Sequence, residues 1–319
     1  MGGSVSGSKV AIVGAGSVGS TLAYACLMRG LGRTLVLYDI NKAKVEAEAL
    51  DLAHGIQFMP QAEVLGSDDV AVCADADVVV ITAGAKQKPG QSRLELAGAT
   101  ISLMDKVVPA LMDVTPRAVY ILVTNPVDVV TYAALKKSGM PPSRMFGSGT
   151  VLDSSRLRYR IAQECGVAVS NVHAYIAGEH GDSEVALWSS ATIGGLPLLE
   201  WTGPDGELVM TEEKCVQIQR EVKESAYRII EGKGATNYAI GVAGARIVEA
   251  VLFDQNRVLP VSTLIDFPGV GEVCLSIPSV VGGEGVKSRL DVRLSRSEAD
   301  ALDQSARSIR KVALEYGVE

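Results

Sequence analysis

The sequence has few of the features that cross-link a chain or attach it to other large molecules. Its five cysteines are scattered over 319 residues without a CxxC pair, which argues against a disulfide framework and favours reduced thiols in a cytoplasm. No apolar leader and no run of about 18 apolar residues occurs, so we expect neither a signal peptide nor a membrane span. There is no long basic run and the net charge is −7, which excludes nucleic acid as an expected partner.

Aromatic residues are also scarce, at 5% against 47% hydrophobic residues in total, so the core is expected to be aliphatic. The length suffices for two sizeable lobes. Residues 1–8 are mostly glycine and serine, which favours a flexible N-terminal arm, although Gly2 and Ser6 also fit the N-myristoylation pattern. No HExxH motif suggests a catalytic metal and no GxSxG motif suggests a hydrolase.

One stretch has a clear chemical meaning. An apolar run, residues 10–13, leads into the turn Gly14-Ala15-Gly16-Ser17-Val18-Gly19, then a helix-like run, then a second apolar run that ends at Asp39, 20 residues after Gly19. In such a unit Gly14 permits the tight turn, Gly16 lets a pyrophosphate approach the backbone, and Gly19 lets the helix pack on the strand. Asp39 can accept hydrogen bonds from the adenosine ribose and would repel a 2′-phosphate. The pattern predicts a site for NAD rather than NADP.

Apolar strands alternate with helix-like segments up to Gly147, with strands expected at 77–84, 118–124 and 145–147 and a helix at 42–52. This pattern predicts an α/β fold with a Rossmann-type doubly wound parallel sheet, whose ligands lie at the carboxyl ends of the strands. After residue 150 this alternation stops. The sequence then predicts a helix at 151–165, a hairpin at 204–206, a helix from Thr211 to Gly232 and a last helix with a Ser295–Glu298 capping box. We therefore expect a flexible arm over 1–8, an NAD-binding Rossmann domain over 9–147 and a mixed α/β (α+β) catalytic domain over 148–319.

Three residues of the second half form a candidate acid–base site. His180 is one of three histidines, and it lies between Gly178 and Gly181 at the start of a loop, where catalytic groups tend to occur. Asp153 is its expected partner. Arg156 lies three positions after Asp153 on a predicted helix, so the two share a face.

Several motifs in order resemble the L-lactate and malate dehydrogenases. They are the nucleotide turn, Thr124-Asn125-Pro126-Val127-Asp128, Leu152-Asp153-Ser154-Ser155-Arg156 and Gly178-Glu179-His180-Gly181-Asp182-Ser183. The resemblance implies NAD as cofactor, pyruvate and L-lactate as substrates, and His180 as the group that exchanges a proton with the substrate. It also implies that Asp153 orients His180 and raises its pKa.

The same resemblance assigns further residues. Arg156 is expected to clamp the substrate carboxylate, for which a planar guanidinium suits better than lysine. Arg93, on a loop expected from Gly84 to Gly98, is expected to polarise the substrate carbonyl when the loop closes. Asn125 is expected to hydrogen-bond the reacting region, and Thr236 to line the pocket. Cofactor contacts are expected from Gly14, Gly16, Val18, Gly19, Asp39, Lys44, Gly84, Ala85 and Asn125.

Gln87 decides between the two substrates. In the malate enzymes that the chain resembles, this position is Arg, which pairs with the second carboxylate of oxaloacetate. A neutral glutamine suits a methyl group, and burying an unpaired carboxylate is costly, so pyruvate is preferred. A malate dehydrogenase or a broader 2-hydroxy acid dehydrogenase stays as the alternative. A non-catalytic dinucleotide-binding sensor is a further alternative. A sensor needs only the nucleotide turn, so the presence of His180, Asp153, Arg156 and Arg93 together argues against it.

A second Arg/His pair is expected outside the active site. Arg158 is two residues from Arg156, about 200° around a helix, and His173 is seven residues from His180 along a β-like run, which a regular strand sends to the opposite face. In the bacterial lactate dehydrogenases that the chain resembles, the matching Arg and His bind fructose 1,6-bisphosphate between subunits of a homotetramer. An ordinary surface or intersubunit polar pair is the alternative.

Overall fold

The helices and strands follow the predicted alternation. A computed structural model describes residues 7–85 and 93–318, without the side chains of 93–96. Its α-helices are α1 Ser17–Met28, α2 Lys42–His54, α3 Arg93–Val114, α4 Val127–Ser138, α5 Val151–Cys165, α6 Glu212–Lys233, α7 Tyr238–Leu252 and α8 Arg296–Glu315. Its strands are β1 Lys9–Val13, β2 Thr34–Tyr38, β3 Glu63–Ser67, β4 Val78–Ile81, β5 Val119–Leu122, β6 Met145–Gly147, β7 Val172–His173, β8 Ile176–Ala177, β9 Val185–Ala186, β10 Thr192–Ile193, β11 Leu196–Pro197, β12 Arg257–Phe267, β13 Gly271–Gly282 and β14 Gly285–Arg289.

Six parallel strands form the predicted sheet in the order β3-β2-β1-β4-β5-β6. All four residues of β4 are buried, as expected for a strand covered by helices on both faces. The strand order reverses between β1 and β4, so a crevice opens where these two strands end. The doubly wound sheet is confirmed, and it sets the place of the nucleotide turn.

The second half of the chain continues the same sheet. β12 pairs antiparallel with β6 through Ser262 and Gly147, and β13 and β14 extend the sheet to nine strands. Strand β12 is not evident from the sequence, because its 11 residues mix apolar and polar side chains with a proline. The α/β second half is confirmed, but it shares the central sheet with the first half.

Aliphatic side chains fill both faces of the sheet. One buried cluster lies between the sheet and α3, α4 and α8, and another between the sheet and α1, α2 and α7. A third cluster packs α5 and α6 against the small strands β7 and β10. Helix α5 begins beside the sheet and packs along this third cluster, so it connects the central sheet to the small strands β7 and β10.

Several element ends differ from the expectations. β4 is shorter than the expected strand 77–84, because the N–H groups of Thr82 and Ala83 both turn to the carbonyl of Val13. Helix α3 already begins at Arg93, inside the segment 84–98 that was expected to be a loop. Thr211 caps α6 and Ser295 with Glu298 forms the capping box of α8, as predicted.

The regular strand expected between His173 and His180 is absent from the described residues. β7 pairs with β10, whereas β8 pairs with β9 in a separate small sheet. The run is broken because the chain leaves β7 after His173, and Gly178 then takes a φ of +87° while it bridges to Ser276. The prediction that one regular strand sends His173 and His180 to opposite faces is therefore wrong, although the side chain of His173 is exposed.

Candidate active site

The nucleotide turn requires its first and third glycines for close packing. Gly14 follows β1 with a φ of +104°, and a Cβ there would lie 2.7 Å from the backbone nitrogen of Ala83. A Cβ on Gly19 would lie 1.9 Å from the carbonyl oxygen of Gly14. No side chain fits at either position, so the turn and the start of α1 stay pressed against the end of β4.

Gly16 differs, because the space that its Cβ would enter is open. It is also the N-cap of α1 and supplies no capping side chain, which leaves N–H groups at a helix N-terminus for an anion. Val18 lies in this first turn and is half-buried. A pyrophosphate therefore fits at this turn.

Asp39 lies at the end of β2 beside the turn. Its Oδ2 accepts a hydrogen bond from the N–H of Ala15 at 2.8 Å, and its Oδ1 accepts from the N–H of Asn41 at 3.0 Å. Each carboxylate oxygen can accept a further bond, so Asp39 holds the turn and can still bind a ribose diol. Lys44 is exposed in the first turn of α2.

The ends of β4 and β5 form the other wall of the crevice. The Thr124 hydroxyl donates to the carbonyl oxygen of Ala83 at 2.7 Å, which ties the two strand ends together. Gly84 is exposed, and a Cβ there would lie 2.7 Å from Thr124 Cγ2. Ala85 is half-buried, and Asn125 is exposed directly after β5. These residues lie where the fold predicts a ligand.

His180 and Asp153 meet as predicted. His180 Nδ1 lies 2.6 Å from Asp153 Oδ2. Asp153 is in the first turn of α5 and its side chain is 4% exposed, whereas that of His180 is 24% exposed. Because Asp153 takes Nδ1, the ring of His180 can offer its Nε2 atom to a ligand.

The electrostatic environment of the pair favours a charged imidazole. Burial away from water disfavours the imidazolium and lowers the pKa of His180. The negative charge of Asp153 and its hydrogen bond to the ring outweigh burial and raise this pKa to about 9. Burial alone would raise the pKa of Asp153, but His180 and Arg156 lower it below its usual range. The imidazole of His180 therefore carries its second proton at neutral pH.

Arg156 lies beside the pair, one turn along α5. Its Nη1 donates to Asp153 Oδ1 at 2.7 Å, and its side chain is 14% exposed. Among the described residues, its other guanidinium nitrogens have no hydrogen-bond acceptor. The fixed, partly exposed fork suits a substrate carboxylate.

Two predicted site residues lie wholly or partly outside the description. Gln87 lies outside the described residues, and of Arg93 only the backbone, at the first residue of α3, is described. Thr236 is half-buried in the connection between α6 and α7.

Two buried carboxyl groups near His180 were not assigned from the sequence. Glu184 is 4% exposed, and burial, together with the charge of Asp153, raises its pKa to about 8. Asp128, in the first turn of α4, accepts a hydrogen bond from the backbone N–H of His180 at 2.8 Å. Both belong to or adjoin motifs quoted above, but only the folded chain brings them to the histidine.

The second Arg/His pair has separate surroundings. Arg158 Nε donates to the carbonyl oxygen of Ala174 at 2.8 Å, and its guanidinium lies 4.7 Å from the ring centroid of Tyr175. His173, the residue before Ala174, is exposed. Arg158 therefore bonds to the residue that follows His173, and it shares no hydrogen-bond partner with Arg156.

Comparisons with known proteins agree with this geometry. Residues 8–147 match the NAD-binding domain of the lactate/malate dehydrogenases, and residues 150–317 match the α/β C-terminal domain of the same family. The chain is 57% identical to an L-lactate dehydrogenase of Bifidobacterium animalis over 310 residues, 97% of each chain. It is 46% identical to an L-lactate dehydrogenase of Synechococcus over 95% of this chain and 98% of the relative.

Solved structures give the same result. A lactate dehydrogenase from a Medee basin deep-sea metagenome library superposes with a TM-score of 0.92 at 40% identity, over 98% of this chain and 99% of its own. A minor L-lactate dehydrogenase of Enterococcus mundtii, in a ligand-bound form, superposes with a TM-score of 0.91 at 38% identity, over 97% and 98%.

The fold and the site thus define an NAD-dependent oxidoreductase. The chain belongs to the lactate/malate dehydrogenase family. The predicted resemblance and the predicted cofactor are confirmed, and the curated relatives named above are L-lactate dehydrogenases. None of the described helices is long and apolar enough to cross a membrane.

Proposed function

We propose that this enzyme interconverts pyruvate and L-lactate with NAD, and that His180 is its proton donor and acceptor. The observation that carries the proposal is the contact between His180 Nδ1 and Asp153 Oδ2 at 2.6 Å, with Arg156 on the other oxygen of the same carboxylate. The identity to curated L-lactate dehydrogenases supports pyruvate over oxaloacetate. The neutral Gln87 supports the same choice.

The residues of the chain divide the chemical tasks. NAD, when bound at the Gly14–Gly19 turn, supplies or accepts the hydride. His180 gives its Nε2 proton to the ketone oxygen of pyruvate, and in the opposite direction takes the hydroxyl proton of lactate. Asp153 holds the ring and stabilises its charged form, and Arg156 orients the substrate by its carboxylate. Arg93 is assigned to the substrate carbonyl, and Asn125 and Thr236 to the pocket wall.

We assign the NAD-binding Rossmann domain to residues 9–147 and the substrate-binding, catalytic domain to residues 148–319. Gly14, Gly16, Val18, Gly19, Asp39, Lys44, Gly84, Ala85 and Asn125 are the proposed cofactor contacts. A reducing cytoplasm is the proposed location, and the five free cysteines support it, four of them buried.

A homotetramer regulated by fructose 1,6-bisphosphate is the proposed assembly. Exposed apolar side chains support self-association: Tyr24 and Met28 on α1 are 49% and 51% exposed, and Tyr238 and Val242 on α7 are 71% and 53% exposed. Arg158 and His173 are the proposed ligands of the effector. Arg158 bonds to the carbonyl oxygen of Ala174 and His173 precedes Ala174 in the chain, so both lie at one place, and both can bind phosphate when charged.

The central test is NADH oxidation with pyruvate against oxaloacetate. We expect a higher kcat/KM for pyruvate. His180→Asn should lower pyruvate turnover by about 10²–10⁴-fold while NADH binding is kept. His54→Asn is the matched control, because His54 is exposed at the end of α2, and its turnover should equal that of the wild type. A preference for oxaloacetate would reject the substrate, and full turnover of His180→Asn would reject the catalytic histidine.

A further inference from the structure

A buried acid lies four residues after the candidate catalytic histidine. Glu184 is 4% exposed, and it directly precedes β9. Its backbone N–H donates to the carbonyl oxygen of Gly181 at 3.3 Å, and its own carbonyl oxygen accepts from Gln219 Nε2, on α6, at 3.5 Å. The loop of His180 and helix α6 therefore fix the main chain of Glu184 from both sides.

The side chain of Glu184 lacks a hydrogen bond at one carboxyl oxygen. Within residues 7–85 and 93–318, its buried Oε1 has no hydrogen-bond partner. An ionised carboxylate can only accept hydrogen bonds, and burying it without enough donors is costly. A neutral carboxyl group avoids most of this cost. The surroundings of Glu184 therefore favour the neutral acid.

Four charged side chains face this carboxyl group. Asp153 and Arg156 belong to α5, His180 belongs to the same loop, and Lys223 belongs to α6. The Nζ atom of Lys223 donates to the carbonyl oxygen of Asp182 at 3.0 Å, so this cation is bound to the backbone of the loop. The carboxyl group thus lies within electrostatic reach of both the proposed substrate clamp and the proposed acid–base group.

Helix α8 meets the same loop through a hydroxyl group. Ser305 Oγ accepts the backbone N–H of Glu179 at 2.8 Å and lies 3.1 Å from Ser183 Oγ. The carboxylate of Glu179 in turn accepts the backbone N–H of Ser183 at 3.3 Å. The charged groups that face Glu184 therefore come from α5, α6 and the loop itself.

We propose that Glu184 is a positioning residue that controls substrate binding through its own protonation. As a neutral acid it leaves the charge of Arg156 to the carboxylate of the 2-hydroxy acid, and as an anion it competes with that carboxylate. The proposal rests on the clamp role proposed for Arg156 and on the acid–base role proposed for His180.

The charge of the site is expected to change near pH 8. Burial and the charge of Asp153 raise the pKa of Glu184 to about 8, and the three facing cations reduce this rise without reversing it. Below this pH, Arg156 and the imidazolium of His180 exceed Asp153 by one positive charge, which attracts a carboxylate. Above it, the ionised Glu184 cancels that charge.

The binding of lactate should show this change most clearly. Lactate oxidation needs a neutral His180, and the negative charge of Glu184 raises the pKa of His180, as the charges of Asp153 and Asp128 also do. An ionised Glu184 therefore disfavours lactate in two ways, because it repels the carboxylate and keeps the imidazole charged. Both effects have the same sign, and both appear only as the pH rises through about 8.

Glu184→Gln separates the charge from the shape of the side chain, because glutamine stays neutral at every pH and has nearly the same volume. Glu224→Gln is the matched control, since Glu224 is exposed on α6 and its loss changes the total charge equally. The first readout is the KM for L-lactate at saturating NAD, from about pH 7 to about pH 9.5. The second readout is the infrared difference spectrum over the same range, in which a protonated carboxyl group gives its own band.

The KM of the wild type divided by that of Glu184→Gln should rise by about three- to tenfold over this range. The same ratio for Glu224→Gln should stay level. The wild type should lose a protonated carboxyl band as the pH rises, and Glu184→Gln should show no such loss. A KM ratio that does not change with pH overturns the proposal. A wild type without this band, or a Glu184→Gln variant that still loses it, also overturns the proposal.

The infrared titration needs no turnover, so it keeps this proposal separate from the proposed function. If the wild type oxidises malate and not lactate, the proposed substrate is rejected. The same KM series with malate then tests Glu184, because Arg156 is expected to hold the 2-hydroxy carboxylate of either acid. Full turnover of His180→Asn would reject the acid–base role and leave the competition at Arg156 to be measured. If Glu184→Gln does not fold, Glu184→Met, which is also neutral and of similar size, takes its place.

Discussion

Arg156 Nη1 donates to Asp153 Oδ1 at 2.7 Å, within a single turn of α5. The other oxygen of Asp153 faces His180, so one carboxylate sets the position of both the proposed substrate clamp and the proposed acid–base group. A change at any of the three residues should therefore affect the other two.

Arg156→Lys tests the clamp. Lysine can keep the ion pair with Asp153 but cannot offer a planar fork to the substrate, so we expect kcat/KM for pyruvate to fall by about 10–100-fold, mainly through KM. Steady-state kinetics with pyruvate measure this. Arg160→Lys on the same helix is the control, since Arg160 pairs with Glu221 and Glu164, and its kinetics should not change. Equal losses in the two variants would contradict a specific role for Arg156.

Asp153→Asn tests the electrostatic part of the mechanism. In the proposed mechanism, pyruvate reduction needs the charged imidazole, which the raised His180 pKa of about 9 maintains through neutral pH. Without the carboxylate charge this pKa falls, so the alkaline limb of kcat/KM should move down by at least one pH unit. An unmoved limb would show that another group sets the pH profile.

Asp39→Asn tests the choice of cofactor. Asparagine keeps an oxygen acceptor for the N–H of Ala15 but removes the charge that repels a 2′-phosphate, so kcat/KM for NADPH should rise by about tenfold relative to NADH. Initial rates with the two cofactors at fixed pyruvate measure the ratio. Asp51→Asn, an exposed change on α2, should leave the ratio as it is. If both variants give the wild-type ratio, Asp39 does not select the cofactor.

Gln87→Arg tests the substrate choice. An arginine would supply the counter-charge that the second carboxylate of oxaloacetate needs, so the ratio of kcat/KM for oxaloacetate to that for pyruvate should rise by about 10²-fold or more. Gln91→Arg adds the same charge four residues away and is the control. A similar rise in both variants would indicate general attraction of an anion.

Fructose 1,6-bisphosphate tests the second Arg/His pair. We expect it to lower the KM for pyruvate at about pH 6, where a histidine carries charge, and to act more weakly at about pH 8. Arg158→Gln and His173→Gln should abolish the response and leave the basal rate. Sedimentation with and without the effector should show whether it favours the tetramer. Saturation curves that the effector leaves unchanged at both pH values, in an otherwise active enzyme, would reject the site.

Motifs that act locally could be predicted from the sequence. The positive φ of Gly14 and the contact of Gly19 with the carbonyl oxygen of Gly14 both arise within one strand–turn–helix unit, so the spacing of the glycines indicates their roles. The Asp153–Arg156 contact spans one helical turn, so it could also be predicted from the spacing of the two residues. The contact of His180 with Asp153 was expected from the family resemblance and is present in the fold.

Contacts made only by the tertiary fold could not be predicted. Asp128 is 52 residues from His180 in the chain, and no periodicity connects them. Glu184 appears in the sequence as an ordinary polar loop residue, since its burial depends on distant segments. The expected strand from His173 to His180 failed for a related reason: a β-like composition does not specify which partner strand each residue pairs with.

The pairing of Gly147 with Ser262 has a consequence for recombination between relatives. A Cβ at residue 147 would lie 2.7 Å from Thr131 Oγ1, 2.8 Å from Val127 Cγ2 and 3.0 Å from Ser262 Cβ, so the two strands meet without spare space. A crossover between the two family domains therefore divides a strand pair and not a hinge. In a chimeric enzyme, a donor of the second half that brings a larger residue to the position of Ser262 should therefore destabilise the junction of the two halves.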